Sequence, residues 1–162
     1  MYIRPAVSSD TNTIADIWNS VIRNSIATFT NVEKSVSDLC ELIHEKHQEN
    51  HGFYVAEIDG HILGFATYGH FRNGPGYAHT MEHSVFLSSQ AKRKGIGKAL
   101  IQQLESHAQN AGLHSLIAGL SGENTDGIAF HTNLGFTQVA HIKQAGFKFG
   151  RWHDLILMQK LM

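Results

Sequence analysis

The sequence predicts a mixed α/β fold, one central twisted sheet with helices on both faces. Three observations lead there. Helical and strand periodicities are interleaved along the chain rather than segregated into blocks. A glycine-rich turn joins a strand-like run, Ser84-Val85-Phe86-Leu87, to a helical stripe that begins at Ile96. The 162 residues suit one domain over residues 1–162 with a substantial core.

Tyr2-Ile3-Arg4 reads as a short strand closed by Pro5. Ser8, Ser9 and Asp10 are N-cap candidates for a helix with Ile14, Ile17, Trp18, Val21 and Ile22 on one face. Asn24–Asn31 loses that period and reads as a loop. Ser35 and Asp38 resemble a capping box opening a second helix on Val36, Leu39, Cys40 and Ile43. Strands over 53–58 and 61–68 flank Asp59-Gly60, a strong hairpin signal. Phe71–Tyr77, with Asn73-Gly74-Pro75-Gly76, is an irregular loop. A third strand over about 80–87 leads into the turn and a helix carrying Ile96, Leu100 and Leu104, which ends near Gly112. His114–Leu120 is the next strand. A shorter helix runs from Glu123-Asn124 through His131 and closes at Gly135. Two last strands cover Phe136–Ala140 and Asp154–Met158, the second after a bend at Gly150-Arg151-Trp152. The order is β-α-α-β-β-β-α-β-α-β-β.

Composition excludes several function classes. A net charge of −1 provides no global field for nucleic acid or an anionic membrane. The N-terminal residues carry no apolar leader core, and no run approaches a membrane span. One cysteine, Cys40, excludes an internal disulfide and suits a reducing cytoplasm; its place on an apolar stripe reads as packing. Twelve histidines raise the question of metal binding. They lack H-E-x-x-H or C-x-x-C spacing, so a scattered surface population and no metal are expected.

The turn at 92–98 carries the chemistry. Gly95 and Gly97 let a backbone approach a ligand, and the following helix N-terminus offers unpaired N–H groups and a positive dipole end. Lys92, Arg93, Lys94 and Lys98 add charge suited to a pyrophosphate. A solvated basic turn has the same composition, so the turn alone leaves both readings open.

Lys92-Arg93-Lys94-Gly95-Ile96-Gly97 resembles the phosphate-binding motif Q/R-x-x-G-x-G/A of the GNAT superfamily of acyl-CoA-dependent N-acetyltransferases, with Lys at the first position. Asn124, His131 and Leu134-Gly135-Phe136 resemble that family's N-(x)6-Y-(x)3-G-F helix, with His in place of Tyr. The stretches at 3–6, 24–29, 79–85 and 148–155 resemble the phosphinothricin and methionine sulfoximine/sulfone acetyltransferase branch. The resemblance spans essentially the whole chain.

It implies acetyl-CoA as cosubstrate, a small-molecule amine as acceptor and a homodimer. It also implies direct attack of the amine on the thioester. Val85, Phe86 and Leu87 would bind the acetyl and pantetheine portion on a splayed strand. Arg93, Lys94, Gly95, Ile96, Gly97 and Lys98 would hold the pyrophosphate, and Asn124 would meet the cofactor near its thiol. Glu82 is the candidate general base; its alternative is a strand-end carboxylate bonded to a loop. His83 faces the opposite side under strand alternation and reads as structural. His131 either protonates the departing thiolate or lines the cofactor channel. Arg72 matches the position that clamps the acceptor's carboxylate, accompanied by Asn73 and Gly74, and is otherwise an exposed loop charge. Phe29 and Tyr77 are candidate pocket walls, and Lys148–Trp152 shapes either the pocket rim or the dimer contact. Polyamine, antibiotic or protein acceptors, and a non-catalytic acyl-CoA sensor, are the competing functions.

Overall fold

A computed structural model describes residues 1–91 and 94–162; Lys92 and Arg93, two of the expected phosphate-binding charges, lie outside the described residues. Among the described residues, eleven strands and helices follow the expected order. They are β1 (Tyr2–Pro5), α1 (Thr11–Asn24), α2 (Val36–Gln48), β2 (Phe53–Ile58), β3 (His61–His70), β4 (Thr80–Leu87), α3 (Ile96–Asn110), β5 (Ser115–Ser121), α4 (Thr125–Asn133), β6 (Thr137–Lys148) and β7 (Arg151–Leu161). The strands form one sheet in the order β1-β2-β3-β4-β5-β7-β6. Its β4–β5 pair is parallel and the others are antiparallel.

Local chemistry sets the elements. Asp59 and Gly60 both take positive φ, 51° and 78°, as a two-residue hairpin turn requires. Ser35 and Asp38 exchange capping-box hydrogen bonds at the start of α2. Asp10 does not cap α1. Its carboxylate is taken by Arg4 at 2.7 and 2.9 Å and by the Val7 N–H, and Ser8–Asp10 form a single 3₁₀ turn. The loop before β4 is not wholly irregular, since Pro75–Tyr77 makes another such turn.

The core divides along the sheet. On one face α3 buries Ile96, Leu100, Ile101, Leu104 and Ala108 against β2–β5 and β7. On the other, α1 and α2 bring Ile14, Ile17, Leu39 and Ile43 onto Phe53, Val55 and Phe65. Cys40 is only half-buried and Val36 is exposed, so the apolar stripe of α2 is narrower than its sequence suggests. Four of the twelve histidines, His51, His83, His131 and His153, are buried rather than spread over the surface.

The C-terminal hairpin departs most from expectation. β6 extends eight residues past Ala140, and β7 begins at Arg151 instead of following a bend there. The turn is Phe149-Gly150, with φ of 52° and 75°. Register shifts between Gln138 and Ala140 and between Ile142 and Gly146 break the two-residue alternation. Most of β6 is exposed at the sheet edge, so its polar residues hide a long strand.

Candidate active site

Strands β4 and β5 part company midway. Their parallel ladder runs from Thr80–Ser115 to His83–Ala118 and stops, while β4 continues to Leu87 and β5 to Ser121. The gap leaves strand backbone groups unpaired and forms a cleft of about 460 Å³. Val85, Phe86 and Leu87 line it on one side, Gly119 and Leu120 on the other, and Asn124 with Phe130 closes the top. Strand alternation turns Val85 and Leu87 into the α3 core and Phe86 toward Trp18 and Phe65, which leaves the β4 main chain to face the gap.

The start of α3 lies at the cleft's end. Gly95 holds φ at 72°, where a residue with a Cβ would be strained. Gly97 lines the cleft, and a Cβ there would stand 3.2 Å from the Phe130 ring. Ile96 spends its side chain in the core at 1% exposure, so what it can offer a ligand is its N–H. Lys94 and Lys98 are exposed around this first turn. Unpaired N–H groups, a dipole end and flanking lysines form an anion cradle.

Glu82 enters the cleft from β4, its carboxylate lodged over Gly119 of β5. A Cβ on Gly119 would stand 2.6 Å from Glu82 Oε1, so the missing side chain makes the notch that holds the carboxylate. Partial withdrawal from water raises the Glu82 carboxyl above the usual carboxylate range. A carboxylate so perturbed, in a cleft, is suited to accept a proton.

On the other face of β4, His83 meets His131 of α4, Nε2 to Nε2 at 3.0 Å. His131 Nδ1 lies 2.8 Å from the Gly127 carbonyl, which can only accept, so this nitrogen carries the proton. With both rings neutral, His131 Nε2 then accepts from His83. Burial lowers both rings, His83 to about 3. Both nitrogens of His131 are therefore engaged inside the protein, and the neutral ring has no free N–H for a departing thiolate. His83 also lines the cleft, beyond the structural part expected of it.

Asn124 caps α4, accepting from the Gly127 N–H at 3.0 Å, and lines the cleft. Phe29 lines the cleft, together with Ala27, Thr28 and Leu155. Arg72, Asn73, Gly74 and Tyr77 do not join them. They lie exposed on the loop before β4, with Arg72 over the Phe71 ring at 5.6 Å. Lys148, expected in an irregular segment, is a buried strand residue. Among the described residues no group of three or more His, Cys, Asp or Glu is arranged to hold a metal. Gly119 escaped the sequence reading, although a glycine inside a strand signals close approach of another group. Leu155 and the Ala27–Thr28 pair lie in the stretches 148–155 and 24–29 that carry the branch resemblance, which gave them no role of their own.

A split parallel strand pair with an anion-binding turn beside it is the architecture of an acyl-CoA-dependent acyltransferase, and comparison with known proteins agrees. Residues 3–157 match the acetyltransferase (GNAT) domain family, and the chain belongs to that family. It is 32% identical over 159 residues to the L-methionine sulfoximine/L-methionine sulfone acetyltransferase of Salmonella typhimurium, covering 98% of this chain and 93% of the relative. The ribosomal-protein-alanine N-acetyltransferase structure from Brucella melitensis superimposes with a TM-score of 0.97 at 34% identity, over the full length of both chains. A phosphinothricin acetyltransferase from Sinorhizobium meliloti, solved in complex with acetyl-CoA, gives 0.95 at 32% identity, over 99% of this chain and 88% of the other. The protein is an acetyl-CoA-dependent N-acetyltransferase.

Proposed function

We propose that the enzyme acetylates the α-amine of a small amino-acid analogue of the methionine sulfoximine, methionine sulfone or phosphinothricin type, and so detoxifies it. The observation that carries this reading is the Glu82 carboxylate seated in the Gly119 notch at the mouth of the split strands. Acetyl-CoA supplies an activated acetyl thioester. Backbone groups of Val85–Leu87 orient its acyl end, and the first turn of α3, from Gly95 to Lys98, holds its pyrophosphate. Glu82 takes a proton from the acceptor's ammonium, directly or through one water, which frees the lone pair that attacks. His131 acts as a wall of the channel, and the leaving thiolate takes its proton from solvent.

An amino-acid acceptor also presents a carboxylate, and Arg72 is the group assigned to it. Exposure leaves Arg72, Asn73, Gly74 and Tyr77 free to act across a subunit contact, and we infer a homodimer in which this loop serves the acceptor end. Exposed apolar side chains on the β6–β7 hairpin, Phe147, Phe149 and Trp152, support such a contact. The single cysteine supports a reducing cytoplasmic setting.

Thiol release from acetyl-CoA, measured with methionine sulfoximine, methionine sulfone, phosphinothricin, spermidine and a short alanine-terminated peptide, tests the assignment. Turnover confined to the three amino-acid analogues is expected. Turnover with spermidine or peptide alone contradicts the acceptor while leaving the acyl donor in place.

A further inference from the structure

Two buried polar residues of the β6–β7 hairpin stand outside the cleft and outside the chemistry above. Lys148 is 4% exposed and His153 is 2% exposed. The Lys148 Nζ donates to the carbonyls of Ser25 at 2.6 Å and Thr28 at 2.7 Å. These partners are carbonyls rather than carboxylates, and a buried ammonium held by neutral dipoles is costly to keep. Both carbonyls belong to the segment between α1 and α2 whose Ala27, Thr28 and Phe29 line the cleft at the proposed acceptor end.

His153 completes the arrangement. Its Nε2 lies 3.0 Å from the Lys148 carbonyl oxygen and its Nδ1 2.7 Å from a Glu123 carboxylate oxygen, so the ring is fixed at both ends. Glu123 also receives Arg151 at 2.7 and 3.0 Å and directly precedes Asn124, the cap of α4. The face of the His153 ring stacks on Phe29, with centroids 5.6 Å apart and planes 22° apart. Gly146 is the cross-strand partner of His153, and a Cβ on it would fall within the Phe29 ring. Phe29 thus rests on the Gly146–His153 pair while Lys148 holds the chain that leads into it, at Ser25 and Thr28.

We propose that Lys148 and His153 are positioning residues that set acceptor specificity, clasping the 25–29 segment so that Phe29 is held as a fixed wall. Neither lines the cleft; each acts through Phe29. Lys148 holds only the 25–29 segment, at the acceptor end; His153 also meets Glu123, beside Asn124, a contact that a glutamine amide in its place can still make. The inference rests on the acyltransferase reading.

The test is steady-state kinetics of Lys148→Met, His153→Gln, Phe29→Ala and the double variant Phe29→Ala/Lys148→Met, with whichever amine wild type turns over. For Lys148→Met and His153→Gln the amine KM is expected to rise about tenfold or more, while the acetyl-CoA KM stays within about twofold. The double variant is expected to lose no more than Phe29→Ala alone, because Lys148 works through that ring. Equal losses on both substrates, additive losses in the double variant, or no change would each overturn the proposal. Should Lys148→Met fail to fold, His153→Gln, which leaves the ammonium in place, reads the same split. Amide hydrogen exchange needs no substrate: residues 25–30 should exchange faster in the variants while the sheet keeps its protection. Unchanged exchange there overturns the clasp, even when wild type turns over none of the five amines and the acceptor assignment fails separately.

Discussion

Glu82 and Gly119 show how one missing methyl can organise a site. The carboxylate occupies the space a Gly119 side chain would fill, so Gly119→Ala should push it from the acceptor without touching the core. Turnover should fall by about ten- to a hundredfold with acetyl-CoA affinity preserved, as kinetics paired with calorimetric binding would report. The raised Glu82 carboxyl also fixes the pH dependence. The base works deprotonated, so kcat/KM should drop as pH falls through that raised value and level off above it. Glu82 was legible in the sequence from its place three residues before Val85. Gly119 was not, because the residue that fills its space comes from another strand. His131 illustrates the opposite limit. Its position in the motif is readable, but the engagement of both its nitrogens depends on Gly127 and on His83, which is 48 residues away in sequence.

Elements whose signals are local were read correctly, among them α3 from its four-residue stripe, α2 from its capping box and the β2–β3 hairpin from Asp59-Gly60. The β6–β7 hairpin was not, because two register shifts and an exposed edge erase the alternation that marks a strand. The β4–α4 contact carries its own prediction through the buried His83 ring. His83 is held neutral down to about 3, whereas in the unfolded chain it takes up a proton below about 6.5. Between those values the unfolded state binds more protons, so this ring's contribution to stability is present above pH 6.5 and is lost as pH falls toward 3. The slope from this one group is at most about 1.4 kcal/mol per pH unit. Denaturant unfolding from pH 7 to 4 should show a shallower loss for His83→Leu than for wild type. Parallel curves would mean that the ring is not buried neutral.

At the scale of the molecule, the fold supplies two halves of a site from opposite ends of one gap. In our proposal α3 and the unpaired edge of β4 recognise the cofactor through backbone groups, which tolerate side-chain variation. The acceptor end is assembled from the 25–29 segment, β7 and, in our reading, a loop of a second subunit. That division explains why the cofactor was legible in the sequence and the acceptor less so. Phe147 and Trp152 are each more than half exposed and pack edge to face on the hairpin. In the homodimer we infer, Phe147→Lys/Trp152→Glu should shift the protein to a monomer by light scattering and weaken amine binding. A dimer of unchanged mass would move the contact elsewhere.

In the proposed amine acetylation Glu82 is the base. Its most direct test compares wild type with Glu82→Gln in thiol release from acetyl-CoA and methionine sulfoximine, alongside acetyl-CoA binding by calorimetry. We predict a loss of about 10²- to 10⁴-fold in turnover with acetyl-CoA affinity nearly unchanged. Turnover by Glu82→Gln within a few-fold of wild type would remove the carboxylate from the chemistry and contradict its role as the base.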